Sequence, residues 1–518
     1  MNLLDFSNPR IIYLLLALLL FSPPLLISSR NLGIKQRRQL DHGDGDESPT
    51  YIWPLPSQYT SGNRTLTVDP NLSLVTSGNG SRSLIVSEAF DRYKRIIFKH
   101  TSSETVIDYD LNKLSVNVHT EDEQLGLGVD ESYTLMVAAN NGFSVIGDIT
   151  IEANSVYGAL RGLETLSQLC AFDYGTKTVK LYNAPWYIQD KPRFMYRGLL
   201  LDTSRHYLPI EVIKQVIESM SYAKLNVLHW HIIDEESFPL EVPTYPNLWK
   251  GAYTKWERYT IDDASEIVQG TGYPDLWPST SCREPLDVSK NFTFDLISGI
   301  LSDLRKVFPF ELFHLGGDEV HTDCWNSTPH VKQWFWLWNV ARVLSEMFAG
   351  LQDVLMSSLE ETFNTFATSL NPKTVVHNWL ESGVCAKAVA KGFRCIFSNQ
   401  GFWYLDHLDV PWDSVYYADP LEGISDASEQ KQVLGGEVCM WGETADASNV
   451  QQTIWPRAAA AAERLWSDDE SLSSRNSTVL PRLEYFRCLL TRRGVPAAPV
   501  RNFYARSSPT GPGSCYSQ

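Results

Sequence analysis

From about residue 191 the chain alternates short apolar runs with amphipathic stretches. Leu199–Leu201 runs into Asp202-Thr-Ser-Arg205, Ile210–Tyr222 has helical spacing, and Asn226–Ile233 ends at Asp234. Further apolar runs lie at Leu312–Leu315, Val375–Trp379, Arg394–Phe397 and Val433–Trp441. Short apolar runs read as buried strands, and a 3.6-residue period reads as helix. Strand–helix units repeated with polar residues at the strand C-termini predict an α/β fold: a (β/α)8 TIM-type barrel over 191–518, with its chemistry at that face. An open parallel sheet is the competing topology. Residues 51–190 read as a small α/β domain preceding the barrel. It has strand runs at Ser83–Val86, Thr134–Val137 and Thr150–Ile151, and one helix from Ser155 to Leu169. On that helix Val156, Leu160, Leu163, Leu166 and Leu169 fall near helical spacing.

The first 29 residues read as a targeting segment. Arg10 precedes an apolar run from Ile11 to Phe21, broken by Pro23-Pro24 before Leu25-Leu26-Ile27. A short core interrupted by prolines fits a secretory signal cleaved near Ser28-Ser29, with a retained membrane anchor as the alternative. Residues 30–50 are polar and read as a linker. Six N-x-S/T sequons, at Asn63, Asn71, Asn79, Asn291, Asn326 and Asn476, agree with passage through the secretory pathway. The destination is the extracellular space or apoplast, or a vacuole or lysosome. The eight cysteines, at 170, 282, 324, 385, 395, 439, 488 and 515, form no C-x-x-C pair. They read as disulfide formers rather than zinc or redox ligands, and spacing alone does not set their pairing.

Composition narrows the function. With 44 basic and 61 acidic residues the net charge is −17, which argues against nucleic acid as a partner. A hydrophobic content of 43% supports a large core, and 16 tryptophans supply indole faces suited to sugar rings or to the core itself. No Walker loop or strand-linked G-x-G-x-x-G is present, which excludes the common nucleotide enzymes.

The sharpest chemical feature is Phe313-His-Leu-Gly-Gly-Asp-Glu-Val320, an apolar strand running into two glycines and two adjacent carboxylates. Glycine admits a ligand close to the backbone. Neighbouring carboxylates repel, so ionisation of one raises the pKa of the other and keeps a proton available for a glycosidic leaving group. Two adjacent acids cannot flank a sugar from opposite faces, so Asp318 is not the second carboxylate of an ordinary two-acid glycosidase.

His314-Leu-Gly-Gly-Asp-Glu-Val resembles the signature of the family-20 β-N-acetylhexosaminidases, the lysosomal hexosaminidases and their plant relatives. Arg197-Gly-Leu-Leu-Leu-Asp-Thr-Ser-Arg-His-Tyr-Leu-Pro209 resembles that family's first barrel strand. Leu225-Asn-Val-Leu-His-Trp-His-Ile-Ile-Asp234 resembles its second, and Gly435-Gly-Glu-Val-Cys-Met-Trp-Gly-Glu443 its last. The likeness covers most of 51–518. It implies exo-acting release of terminal GlcNAc or GalNAc from glycans or chito-oligosaccharides, with no cofactor and no metal.

The resemblance also implies the mechanism and the site. The substrate's own 2-acetamido oxygen attacks the anomeric carbon, with net retention. Glu319 is the acid and then the base, and Asp318 supports the acetamido N–H. Tyr404 bonds the acetamido oxygen, and Trp379 and Trp441 wall its pocket. Arg205, Asp406 and Glu443 hold sugar hydroxyls, and Asp234 is a second-strand carboxylate near the acid. His229 and His231 read as a hydrogen-bonded pair on a buried strand rather than metal ligands. Disulfides Cys282–Cys324 and Cys488–Cys515 are implied on the same basis. A homodimer is left open.

Two segments depart from the family pattern. At Gln269–Gly270 the third βα unit of the barrel, roughly 25 residues, is absent, together with a loop histidine. Residues Phe335–Leu359 do not resemble the family, and Leu359 stands where a tryptophan precedes Glu-Glu-Thr-Phe. Both departures are what an alternatively spliced or mispredicted gene product would leave. They make an inactive or glycan-binding product the alternative function, with a two-carboxylate retaining glycosidase third.

Overall fold

Strand β1 (Gln58–Ser77) opens the first sheet and is followed by helix α1 (Leu84–Ile97). The structure is a computed structural model. It describes residues 51–100, 108–140, 143–260, 263, 290–307, 312–314, 327–337, 355–368, 370–468, 472 and 476–501. After α1 come β2 (Leu111–Val118), β3 (Tyr133–Asn140), β4 (Phe143–Ala153), α2 (Val156–Leu169), β5 (Cys170–Asp173) and β6 (Thr178–Asp190). The sheet order is β1-β2-β4-β3-β6-β5. Strand β1 bends, so that its first part pairs with β6 and its last part with β2.

The helix expected from Ser155 to Leu169 is present, with the Ser155 hydroxyl accepting from the Gly158 N–H. The strand expected at Ser83–Val86 is instead the start of α1. The Ser83 side chain caps that helix by accepting from Val86 N, and Val86, Ala89, Phe90 and Tyr93 form its buried face. The Leu-Ile-Val triplet has high strand propensity, but the apolar positions one and two turns later bury only if the segment is helical.

The second sheet holds β7 (Tyr196–Asp202), β8 (Val227–His231), β9 (Leu312–His314), β10 (Leu355–Leu359), β11 (Val375–Asn378), β12 (Arg394–Phe397) and β13 (Val433–Met440). They run in the order β9-β10-β11-β12-β13-β7-β8, and every pairing is parallel. Between and after them lie helices α3 (Ile210–Tyr222), α4 (Asn291–Val307), α5 (Pro329–Leu337), α6 (Glu360–Phe366), α7 (Val384–Val389), α8 (Arg457–Trp466) and α9 (Asn476–Arg492). Strands β7 and β13 are buried along their full length, as an all-parallel sheet covered by helices requires. Gly435 and Gly436 allow β13 to pack this closely. A Cβ on Gly435, which has φ +143°, would fall 1.9 Å from the Tyr196 carbonyl oxygen, and one on Gly436 would fall 2.2 Å from the Trp403 ring.

Residues Thr50–Gln518 form one unit, and buried charges join its two sheets. The Glu131 carboxylate, just before β3, accepts both bonds from Arg197 Nη2 on β7 at 2.7 Å, and Arg161 Nε donates to it at 2.7 Å. Burial alone would raise the Glu131 pKa, but the two guanidinia outweigh it and hold the carboxyl at about 2. Lys224 is fully buried, 2.8 Å from Asp190 Oδ2, and its ammonium lies 4.4 Å from the centre of the Trp466 ring. One disulfide joins Cys385 on α7 to Cys395 on β12. Cys488 is also disulfide-bonded, to a partner outside the described residues. Cys282, Cys324 and Cys515 lie outside them as well, as do Asn326, the segments 1–29 and 30–50, and the junction Gln269–Gly270.

Candidate active site

The C-terminal ends of β7, β8 and β13 bring Arg205, Asp234 and the Trp441–Glu443 turn together. Arg205 is gripped by carboxylates on several sides. Its Nη1 donates to Asp202 Oδ2 at 3.1 Å and its Nε to Glu236 Oε2 at 3.1 Å, while its Nη2 lies 3.0 Å from Asp234 Oδ2 and 3.9 Å from Glu443 Oε1. Burial lowers the guanidinium pKa, but Asp202 and Asp234 more than reverse this, so Arg205 stays charged. Its guanidinium carbon also stands 5.3 Å over the Trp441 ring. Asp202, the last residue of β7, further accepts from the Gly442 N–H at 2.9 Å and so ties the β13 turn to this strand.

Asp234 accepts from His231 Nε2 at 2.7 Å, and His231 meets the Trp441 ring edge-on at 4.9 Å. Burial would raise the Asp234 pKa, but the bonds from His231 and the Glu235 N–H lower it, so the carboxylate is ionised. The two strand histidines thus have separate carboxylate partners, because His229 Nδ1 lies 2.8 Å from Glu437 Oε1. Glu437 is fully buried. It accepts from the Tyr196 hydroxyl at 2.5 Å and lies 3.4 Å from His377 Nε2. The His314 ring packs on His229 at 4.9 Å and on His377 at 5.2 Å. His229 and His377 precede His231 and Trp379, respectively, by two positions.

Beside the charged cluster stands an aromatic wall. Tyr404 is bridged to Cys439 of β13, with the Leu405 N–H donating to the Cys439 carbonyl at 2.7 Å. Its ring lies 6.3 Å from that of Trp379, nearly parallel at 11°, and 6.0 Å from that of Trp441. Asp406 is held by the same turn, with Oδ2 3.8 Å from His407 Nε2. Burial raises the Asp406 pKa. Among the described residues, the Asp406 Oδ1 and the Trp441 indole nitrogen are buried with no hydrogen-bond partner. Buried polar atoms are rarely left so, and two beside one aromatic wall suit a polar ligand.

The structure therefore places Arg205, Asp234, Trp379, Tyr404, Asp406, Trp441 and Glu443 around one end of the parallel sheet. Asp318 and Glu319 lie outside the described residues, on the segment that follows β9. Sequence reasoning did not single out Asp202, Glu236 and Glu437 as supporting residues, nor Glu361, which accepts from the Trp379 indole N–H at 2.9 Å. Asp202 was recoverable, being a carboxylate at a strand C-terminus. Among the described residues, no group of three or more histidine, cysteine or carboxylate side chains is arranged to hold a metal ion.

Comparison with known proteins bears on this arrangement. The catalytic-domain profile of glycosyl hydrolase family 20 matches residues 194–272 and 275–469, and a profile described as beta-acetyl hexosaminidase like matches 52–169. The chain is 63% identical over 514 residues to beta-hexosaminidase 1 of Arabidopsis thaliana, covering 91% of this chain and 95% of that protein. It is 31% identical over 557 residues to the human beta-hexosaminidase subunit beta, covering 95% and 96%. The chitobiase of Flavobacterium johnsoniae superposes with a TM-score of 0.74 at 28% identity, covering 86% of this chain and 73% of that one. The chain belongs to glycosyl hydrolase family 20, and its parallel sheet is that of a TIM-type catalytic domain.

Proposed function

We propose that this family-20 glycosidase removes terminal, non-reducing N-acetylhexosamine residues from β-linked glycans or chito-oligosaccharides. The observation that carries the reading is the pairing of a hydroxyl-binding cluster with an aromatic pocket at one strand end. Arg205, with Glu443 beside it, offers charge-assisted bonds to sugar hydroxyls. Trp379, Tyr404 and Trp441 form an aromatic wall suited to packing against an acetamido group, and the Trp441 N–H and Asp406 Oδ1, which have no partner among the described residues, suit polar atoms of the sugar.

The acetamido oxygen attacks the anomeric carbon while Glu319 protonates the leaving oxygen. Asp318 orients the acetamido N–H and offsets the positive charge that develops on it. Water activated by Glu319 then opens the cyclic intermediate with net retention. Asp234, kept ionised by His231, places a negative charge near the reacting centre. The enzyme works in the secretory pathway, where the sequons become glycosylated. Asn63, Asn71, Asn79 and Asn476 are exposed, as the modification requires.

The test compares aryl 2-acetamido-2-deoxy-β-glucoside with the plain aryl β-glucoside. Turnover confined to the acetamido substrate supports the reading, and equal turnover overturns it. Glu319→Gln should lower turnover of a substrate with a poor leaving group by about 10²-fold or more, the scale of acid–base catalysis. It should cost less when the leaving group is good.

A further inference from the structure

Two adjacent glutamates at the end of β10 hold Trp379 in two independent ways. Glu360 is fully buried, and its Oε2 accepts from Asn378 Nδ2 at 2.7 Å, from the Trp379 N–H at 2.9 Å and from the Leu380 N–H at 2.9 Å. Its Oε1 accepts from the Glu381 N–H at 3.0 Å. The whole turn after β11 is thereby fixed to the start of α6. Glu361 takes no part in that backbone clamp. Its Oε2 accepts instead from the Trp379 indole Nε1 at 2.9 Å. The backbone of Trp379 is held by one carboxylate and the rotation of its ring by the other.

The ring orientation matters because Trp379 stands nearly parallel to Tyr404, 6.3 Å away. The indole torsion sets how the Trp379 ring lies against Tyr404, and so the shape of the wall that the two rings present. A part-buried indole N–H deprived of its acceptor turns toward another acceptor or toward water, because leaving it unpaired is costly. The aromatic wall would then lose its defined shape.

We infer that Glu361 is a specificity-positioning residue, which sets the size of the N-acyl group that the site accepts on its sugar by orienting Trp379. This rests on the reading of Trp379 as a wall of the acetamido pocket. Glu361 does not touch the sugar. It acts through the indole, so the acceptor and not the charge is what the site requires.

The test measures binding of N-acetylglucosamine and N-butanoylglucosamine to the full chain by calorimetry, with kcat and KM for the matching aryl glycosides. Glu361→Leu, which removes the acceptor, should lower the acetyl-over-butanoyl preference about fivefold, the size of one net hydrogen bond. Glu361→Gln, which keeps a carbonyl acceptor, should preserve it. Trp379→Phe keeps an aromatic wall but removes the N–H donor, so it should relax the preference like Glu361→Leu and add nothing to it in the double variant. It also supplies the answer if Glu361→Leu does not fold. Unchanged preference in Glu361→Leu or in Trp379→Phe, while Trp379→Ala alters it, overturns the inference and leaves the pocket reading standing. Unchanged preference in Trp379→Ala, or no binding by the unsubstituted protein, overturns both.

Discussion

Arg205 Nη2 lies 3.0 Å from Asp234 Oδ2, the same oxygen that accepts from His231 Nε2 at 2.7 Å. One carboxylate oxygen therefore couples the guanidinium proposed to bind sugar hydroxyls to a histidine that packs against the Trp441 wall.

Arg205→Lys should damage catalysis more than stability. Lysine carries the charge but not the planar fork that engages Asp202, Asp234 and Glu236 together. The expected loss in kcat/KM is about 10²-fold, corresponding to one or two charged hydrogen bonds, with a small shift in Tm. Steady-state kinetics on an aryl N-acetylglucosaminide checks this, and undiminished kcat/KM would remove Arg205 from the site.

Acid should weaken the junction between the two sheets. Glu131 has its folded pKa depressed from the ordinary 4.5 to about 2. A depressed carboxylate contributes stability that is fully present above the unfolded value and is lost as pH falls through the folded one. Its contribution should therefore decline between about pH 4.5 and about pH 2. Urea midpoints across that range, for the unsubstituted protein and Glu131→Gln, check this. The variant should be less stable at neutral pH and show a shallower acid slope, and identical slopes would contradict the assignment.

The Cys385–Cys395 bridge closes a short loop, with a sequence separation of 10. Replacing both cysteines by serine should cost about 2–3 kcal/mol on the chain-entropy scale for a loop of that length. Denaturant midpoints measure the loss. Non-reducing peptide mapping should recover this pair, and two free thiols there would refute it.

Among the described residues the parallel sheet ends at β9 on one side and at β8 on the other. A (β/α)8 barrel closes when its strands hydrogen-bond around the ring, and between β8 and β9 the sequence lacks the residues of a family-type third βα unit. Inserting a family-type third βα unit at Gln269–Gly270 should raise yield, Tm and hydrolysis per mole of folded protein. Expression of both forms in a secretory host tests this. Equal melting and equal turnover would show that the chain closes its barrel without the unit.

The sequence by itself determined the local units and much of the site's inventory. Buried strands announced themselves as apolar runs and α2 by its spacing, while Arg205, Asp234, Trp379, Tyr404 and Trp441 were legible through the family resemblance of the motifs that hold them. Each of these signals lies within a few residues of chain. Ser83–Val86 shows the limit even there, since a triplet of strand formers became the first turn of α1 once Phe90 and Tyr93 needed burial. Only the tertiary structure decided which groups meet. Glu361 and Trp379 are 18 residues apart, and His229 and Glu437 are 208 apart. No periodicity encodes such pairs. They arise because parallel β–α–β crossovers bring strand ends from distant parts of the chain side by side, and there a carboxylate such as Glu361 comes within reach of an indole N–H that needs an acceptor.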